Sequence, residues 1–126
     1  VIYIGIVVAM IAIGSLDGFL SGTNKPAGDA TVAPARLDDA ARRGALVYAQ
    51  RCSDCHGLDL VGSEHGPALL GARFRTLDDA GWTAAMLQGA PARGRHPAMA
   101  PVDGLDPADA ARIVAYARAM QAANPL

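Results

Sequence analysis

Cys52-Ser53-Asp54-Cys55-His56 is the stretch of this chain whose residue types and spacing point most directly to chemistry. Two thiols stand about one helical turn apart, and an imidazole follows directly. At this spacing the sulfurs reach the two vinyl groups on one edge of a porphyrin and form thioethers. The imidazole then binds iron from the proximal side, which is the c-type haem attachment pattern. Zinc uses the same residue types, but structural zinc ligands come in spaced pairs. Here His56 abuts Cys55, and His65 and His96 lack that pairing. A dithiol redox pair calls for a strand–helix–strand context, and a disulfide framework calls for more than two cysteines. The spacing therefore predicts one covalently attached haem c, with Cys52 and Cys55 as attachment points and His56 as a metal ligand.

Iron held by His56 has a second axial position. Of the four methionines, Met10 lies in an apolar amino-terminal run, and Met86 and Met120 fall within helical patterns where they serve as core fillers. Met99 stands in His96-Pro97-Ala98-Met99-Ala100-Pro101, a proline-stiffened loop before the last helical pattern. Met99 is the leading candidate, with His96, Met86 and an open site as alternatives. His65, in a polar loop, reads as a solvated side chain. Trp82 reads as core or as a ring beside a haem propionate. Arg73, Arg75, Arg93 and Arg95 each read alone as a solvated arginine, with pairing to a propionate or to an acidic partner as the alternative. Arg93, Arg95 and His96 together make a candidate docking face next to Met99.

These residues need a scaffold, and the pattern from Asp38 onward is helical. Asp38 or Asp39 can cap a helix running to about Arg51, with Ala41, Gly44, Ala45, Tyr48 and Cys52 on one face. A short helical turn is expected around residues 67–70. Thr76-Leu77-Asp78-Asp79 has the form of a capping box and opens a helix carrying Trp82 and Met86 and ending near Gly89. Asp106-Pro107 starts the last helix, on which Ile113, Tyr116, Ala117 and Met120 form an apolar stripe. No stretch alternates as a strand does. The expected fold class is all-α, a small helical domain around the haem, preceded by one transmembrane helix.

That last expectation comes from the amino terminus. Val1 to Leu16 carries no charge and is apolar on every face. Residues 1–20 as a helix would reach roughly 30 Å, one hydrocarbon core. No A-x-A-like cleavage site follows, so the segment reads as an anchor rather than a removable signal. Gly5 and Ala9 give it a small-xxx-small face for another membrane helix. Residues 21–37 are rich in Gly, Pro, Ala and Thr and read as a linker, spanning about 23 Å root-mean-square if flexible. Residues 38–126 are left for one small domain, a size at which a buried cofactor helps stability. A formal net charge of -1 gives no electrostatic footprint for nucleic acid.

From Asp38 to about Ala122 the chain resembles the class I, mono-haem cytochrome c family in a membrane-anchored form. Gly44 and Tyr48 precede the first cysteine as in that family's first helix, and Gly57 follows the histidine. Gly66-Pro67-Ala68-Leu69-Leu70 is similar to the family segment whose proline carbonyl accepts the proximal histidine proton, which implies that role for Pro67 toward His56. Met99 matches the distal methionine loop, although Ala100 stands where proline more often follows. The resemblance also implies that Gly44 receives the last helix at a close crossing against Tyr116. Finally, it implies a domain on the periplasmic side of the inner membrane, where haem c is attached.

Both axial positions filled by protein leave iron no place for a substrate, and no catalytic triad, carboxylate pair or phosphate loop is present. The expectation is a non-enzymatic one-electron carrier, working with redox partner proteins in a respiratory or photosynthetic membrane complex. The alternatives are an accessory structural haem subunit, or a haem sensor or enzyme with an open distal site. Covalent attachment has a direct test. After acid–acetone extraction a pyridine haemochrome spectrum should find the haem still on the polypeptide; haem lost wholly to the solvent rejects thioether bonds at Cys52 and Cys55.

Overall fold

The computed structural model describes residues 31–126. The expected anchor, its Gly5 and Ala9 face and the first ten linker residues lie outside the described residues. Five helices follow: α1 (Asp39–Arg51), α2 (Ser53–His56), α3 (Ala72–Thr76), α4 (Asp79–Gln88) and α5 (Pro107–Ala123). Among the described residues there is no β-strand, only three isolated bridges. None of the described helices is long and apolar enough to cross a membrane.

Each long helix starts at an aspartate, for the same physical reason. The carboxylate of Asp38 accepts the Ala41 N–H at 2.8 Å, that of Asp78 the Gly81 N–H at 2.7 Å, and that of Asp106 the Ala108 N–H at 2.8 Å. Each satisfies a donor that has no partner inside the helix. Pro107 at the first position of α5 has no N–H to satisfy. The start of α4 differs from the capping box expected at Thr76, because the cap is Asp78. Thr76 instead closes α3, where its hydroxyl donates back to the Arg73 carbonyl at 3.1 Å. The short helix was also expected too early, around 67–70. The Leu69 N–H is taken by the Leu60 carbonyl at 2.8 Å, so the chain turns there and coils only from Ala72.

The core forms where α1 and α4 pack on α5. Tyr48, Ile113, Val114, Ala117 and Met120 are buried there with Trp82 and Met86. The crossing of α1 and α5 is set by Gly44. A Cβ at this position would overlap the Arg112 carbonyl and come within 2.9 Å of the Ile113 nitrogen. The close approach is thus to the backbone of Arg112 and Ile113, one turn before the expected Tyr116. Tyr116 is half-buried and packs its ring against Tyr48, with centroids 5.6 Å apart.

The end of the expected linker is tied down. Asn124, after α5, accepts the Val32 N–H and donates to the Val32 carbonyl, both at 2.7 Å. A primary amide offers one donor and one acceptor side by side, and here both engage one residue's backbone.

Gly44→Ala should destabilise the domain by about 1–3 kcal/mol, since backbone on the facing helix cannot move aside as a side chain can. Ala40→Ser, on the exposed side of α1, is the reference substitution. Coincident denaturation midpoints for the two variants would show that α1 and α5 can separate at no cost.

Candidate haem site

Between α1 and α2 the chain breaks its helix for one residue, Cys52, whose N–H still bonds to the Tyr48 carbonyl at 2.9 Å. The single turn of α2 then carries Cys55 and His56. Cys52 is buried, while Cys55 is exposed and lies outside the cleft wall. Burial pushes the Cys52 thiol up to about 11. A thiol so raised stays protonated near neutrality and is a poor nucleophile, which is the opposite of what a dithiol exchange site needs.

His56 is the pivot of the site. Its ring is buried, at 8% exposure, and its Nδ1–H donates to the Pro67 carbonyl at 2.9 Å. Among the described residues no hydrogen bond involves Nε2. The bond to Pro67 fixes the tautomer that leaves Nε2 with its lone pair available to a metal. Pro67 therefore makes the contact that the resemblance implied. Tyr48 supports the turn from beneath, its hydroxyl donating to the Gly57 carbonyl at 2.6 Å. Burial pushes its phenol well above the usual range, so it remains a donor at any physiological pH.

His56, Cys52, Leu69, Phe74, Trp82 and Met86 wall an apolar cleft. Met99 and His96 complete the wall from the segment between α4 and α5. That segment is a small hairpin. Ala90 and Met99 exchange both backbone bonds at 2.9 Å, and Arg93 and His96 pair at the tip at 3.0 and 3.1 Å. Gly94, at φ 57°, supplies the left-handed turn residue between them. The ladder sets Met99 directly beside the end of α4.

Met99 is half-buried and faces the cleft, whereas Met86, on the same wall, is 4% exposed and packed into the core. Met120 is buried away from the cleft. The site thus offers an imidazole nitrogen and a thioether in an apolar slot with a thiol at its wall. That donor set fits a flat, apolar, iron-bearing group. It does not fit zinc: among the described residues, no three His, Cys, Asp or Glu side chains lie close enough to hold a metal.

Of the neighbours, Trp82 is core, the first of its two readings: it is buried, and its indole N–H donates to the Phe74 carbonyl at 3.2 Å. Arg75 turns inward, donating to the Leu70 and Gln121 carbonyls at 2.8 and 2.7 Å and to the Asn124 carbonyl. It is therefore unavailable for docking. Arg73, Arg93 and Arg95 are exposed and form no ion pair among the described residues. His65 is exposed beside Glu64, as expected for a solvated side chain.

Arg118 and Gln121 were missed by sequence reasoning. Arg118 donates to the Phe74 carbonyl at 2.8 Å, the Leu77 carbonyl at 2.5 Å and the Asp79 carboxylate at 3.2 Å, and lies over the Trp82 ring at 5.6 Å. Gln121, buried, donates to the Leu69 carbonyl at 3.0 Å. Together they fasten the loops that carry the cleft wall to α5. The signal was there: two polar residues three apart, within the register of an apolar stripe.

A helical domain folded around an apolar cleft, with a C-x-x-C-H turn at its wall and a methionine hairpin closing it, belongs to the cytochrome c class. Residues 39–116 match the family model described as cytochrome C oxidase, cbb3-type, subunit III, and the chain belongs to that family. The match runs from the first residue of α1 into α5. The comparison with curated proteins gives no match. A cytochrome c domain implies haem c and haem-based electron transfer.

Proposed function

We propose that this chain is a membrane-anchored mono-haem electron carrier, with haem c bonded covalently to Cys52 and Cys55 and iron held by His56 and Met99. The observation that carries the reading is the His56 imidazole. It is buried, is oriented by Pro67 so that Nε2 is free, and lines a cleft that Met99 also lines. When bound, haem c supplies an iron centre that cycles between ferric and ferrous states. The protein's part is to fix the ligands and set the potential. Met99 favours ferrous iron, as a thioether does, and so raises the potential over that of two imidazoles. The apolar walls of Leu69, Phe74 and Trp82 exclude water and disfavour the extra charge of the ferric state in the same direction.

Two ligands from protein leave no coordination position for oxygen or a substrate, so the chain itself is a carrier rather than an enzyme. The family description names an oxidase subunit, which supports work within a respiratory membrane complex. Residues 1–20 serve as a single-pass anchor in the inner membrane, residues 21–37 as the linker, and residues 38–126 as a haem domain on the periplasmic side. The exposed Arg73, Arg93 and Arg95 at and near the cleft mouth suit an acidic redox partner.

The ferric protein should show the weak far-red absorption of a sulfur–iron bond. Met99→Ala should abolish it and lower the reduction potential, while Met86→Leu and Met120→Leu retain both. If the band survives Met99→Ala and vanishes with Met86→Leu, the ligand is on α4. The anchor is checked separately. In bacterial membranes washed with alkaline carbonate the haem should stay in the pellet, and its release to the supernatant would rule out a spanning segment.

A further inference from the structure

The loop that bears Pro67 and the hairpin that bears Met99 meet through one side chain. On the His56 side, Ser63 and Gly66 close a two-residue turn, with the Ser63 N–H on the Gly66 carbonyl at 2.9 Å. The Ser63 hydroxyl donates to the Cys55 carbonyl at 2.7 Å. The next residue along, Pro67, bonds His56. The turn is therefore tied to the attachment motif on both sides, through Ser63 to Cys55 and through Pro67 to His56. On the other side, the hairpin is held at its base, where Met99 pairs with Ala90 and the Val102 N–H bonds the Met86 carbonyl at 2.9 Å. Its tip has no such support except His96, whose Nε2 lies 3.2 Å from the Ser63 carbonyl. A carbonyl only accepts, so the ring nitrogen donates. Among the described residues no other hydrogen bond joins the loop at residues 57–70 to the hairpin at 90–99.

We infer that His96 is a positioning residue: its bond to the Ser63 carbonyl latches the Met99 hairpin across the cleft mouth and restrains Met99 from leaving the iron. The inference rests on Met99 being the distal ligand. An outside ligand can reach the iron only if Met99 withdraws, and Met99 is carried on a ladder whose far end His96 holds. Pro97, between the latch and the ligand, stiffens the path so that motion at one is felt at the other. His96 is thus occupied in the folded protein, and it must break this bond before it could itself approach the iron.

The test uses the full-length ferric holoprotein in detergent, with cyanide as the entering ligand and stopped-flow absorbance as the readout. His96→Ala should bind cyanide about 2- to 13-fold faster than wild type, the factor to which one net hydrogen bond converts. His96→Gln, whose side-chain N–H can reach a carbonyl, should return the rate toward wild type. His65→Ala, a neighbouring exposed histidine that has no bond to the hairpin, should leave it unchanged. A His96→Ala rate equal to wild type, or a His96→Gln rate equal to that of His96→Ala, overturns the latch while the far-red band stands. A wild-type protein that lacks that band, or keeps it in Met99→Ala, overturns the ligand reading and the latch with it.

Discussion

Gly44 lies so close to the Arg112 carbonyl that even a methyl group has no room between α1 and α5, and the site depends on that contact. With the two backbones this near, Tyr48 and Ile113, each at most 2% exposed, reach the floor of the cleft, and Tyr116 closes over Tyr48. Because α1 ends at Arg51, the crossing also fixes where the attachment turn begins. An α1 held further from α5 would carry Cys52 and His56 away from Met86 and Met99, which hang from elements anchored on the other side of the core. The depth of the cleft is therefore a consequence of one missing side chain.

A domain of this size has few apolar residues to spend on walls, and polar groups hold much of the cleft in place. Arg118, Arg75 and Gln121 project from α5 and α3 to the backbone carbonyls of residues 69–77 and 121–124. Those carbonyls belong to turns and helix ends and have no partner in a regular ladder, so the arginines satisfy what the fold leaves open. Among the described residues no side-chain nitrogen or oxygen sealed from solvent lacks a partner. The result is a stiff wall behind Phe74 and Trp82 and a softer one at the hairpin, where support comes from a short backbone ladder and the His96 contact.

The attachment motif, the three long helices and the apolar stripe of α5 were legible in the sequence, because each is a local pattern. C-x-x-C-H is a spacing, an aspartate before a helical period is a cap, and a stripe repeats every turn. The Thr76 cap failed for a local reason as well: Asp78 competes for the same helix start, and a carboxylate accepts more strongly than a hydroxyl. Trp82 is core, as its apolar bulk suggests, whereas Arg75 reads as solvated or docking and instead bonds to backbone carbonyls that only folding brings near. Arg118 and Gln121 could be seen as polar breaks in a stripe, yet their partners lie about 40 to 50 residues away, where no periodicity reaches.

The sequence by itself determined the local patterns: a C-x-x-C-H spacing, the long helices and their caps, and an apolar run before them. Tertiary structure decided the geometry. It set Arg112 rather than Tyr116 against Gly44, turned Nδ1 of His56 toward Pro67 so that Nε2 is free, paired Met99 with Ala90, and brought His96 to Ser63. The physical reason is the range of the interactions. Helix periods and caps are fixed by neighbours within a turn or two, whereas a carbonyl in a loop takes whichever donor the packed core delivers to it.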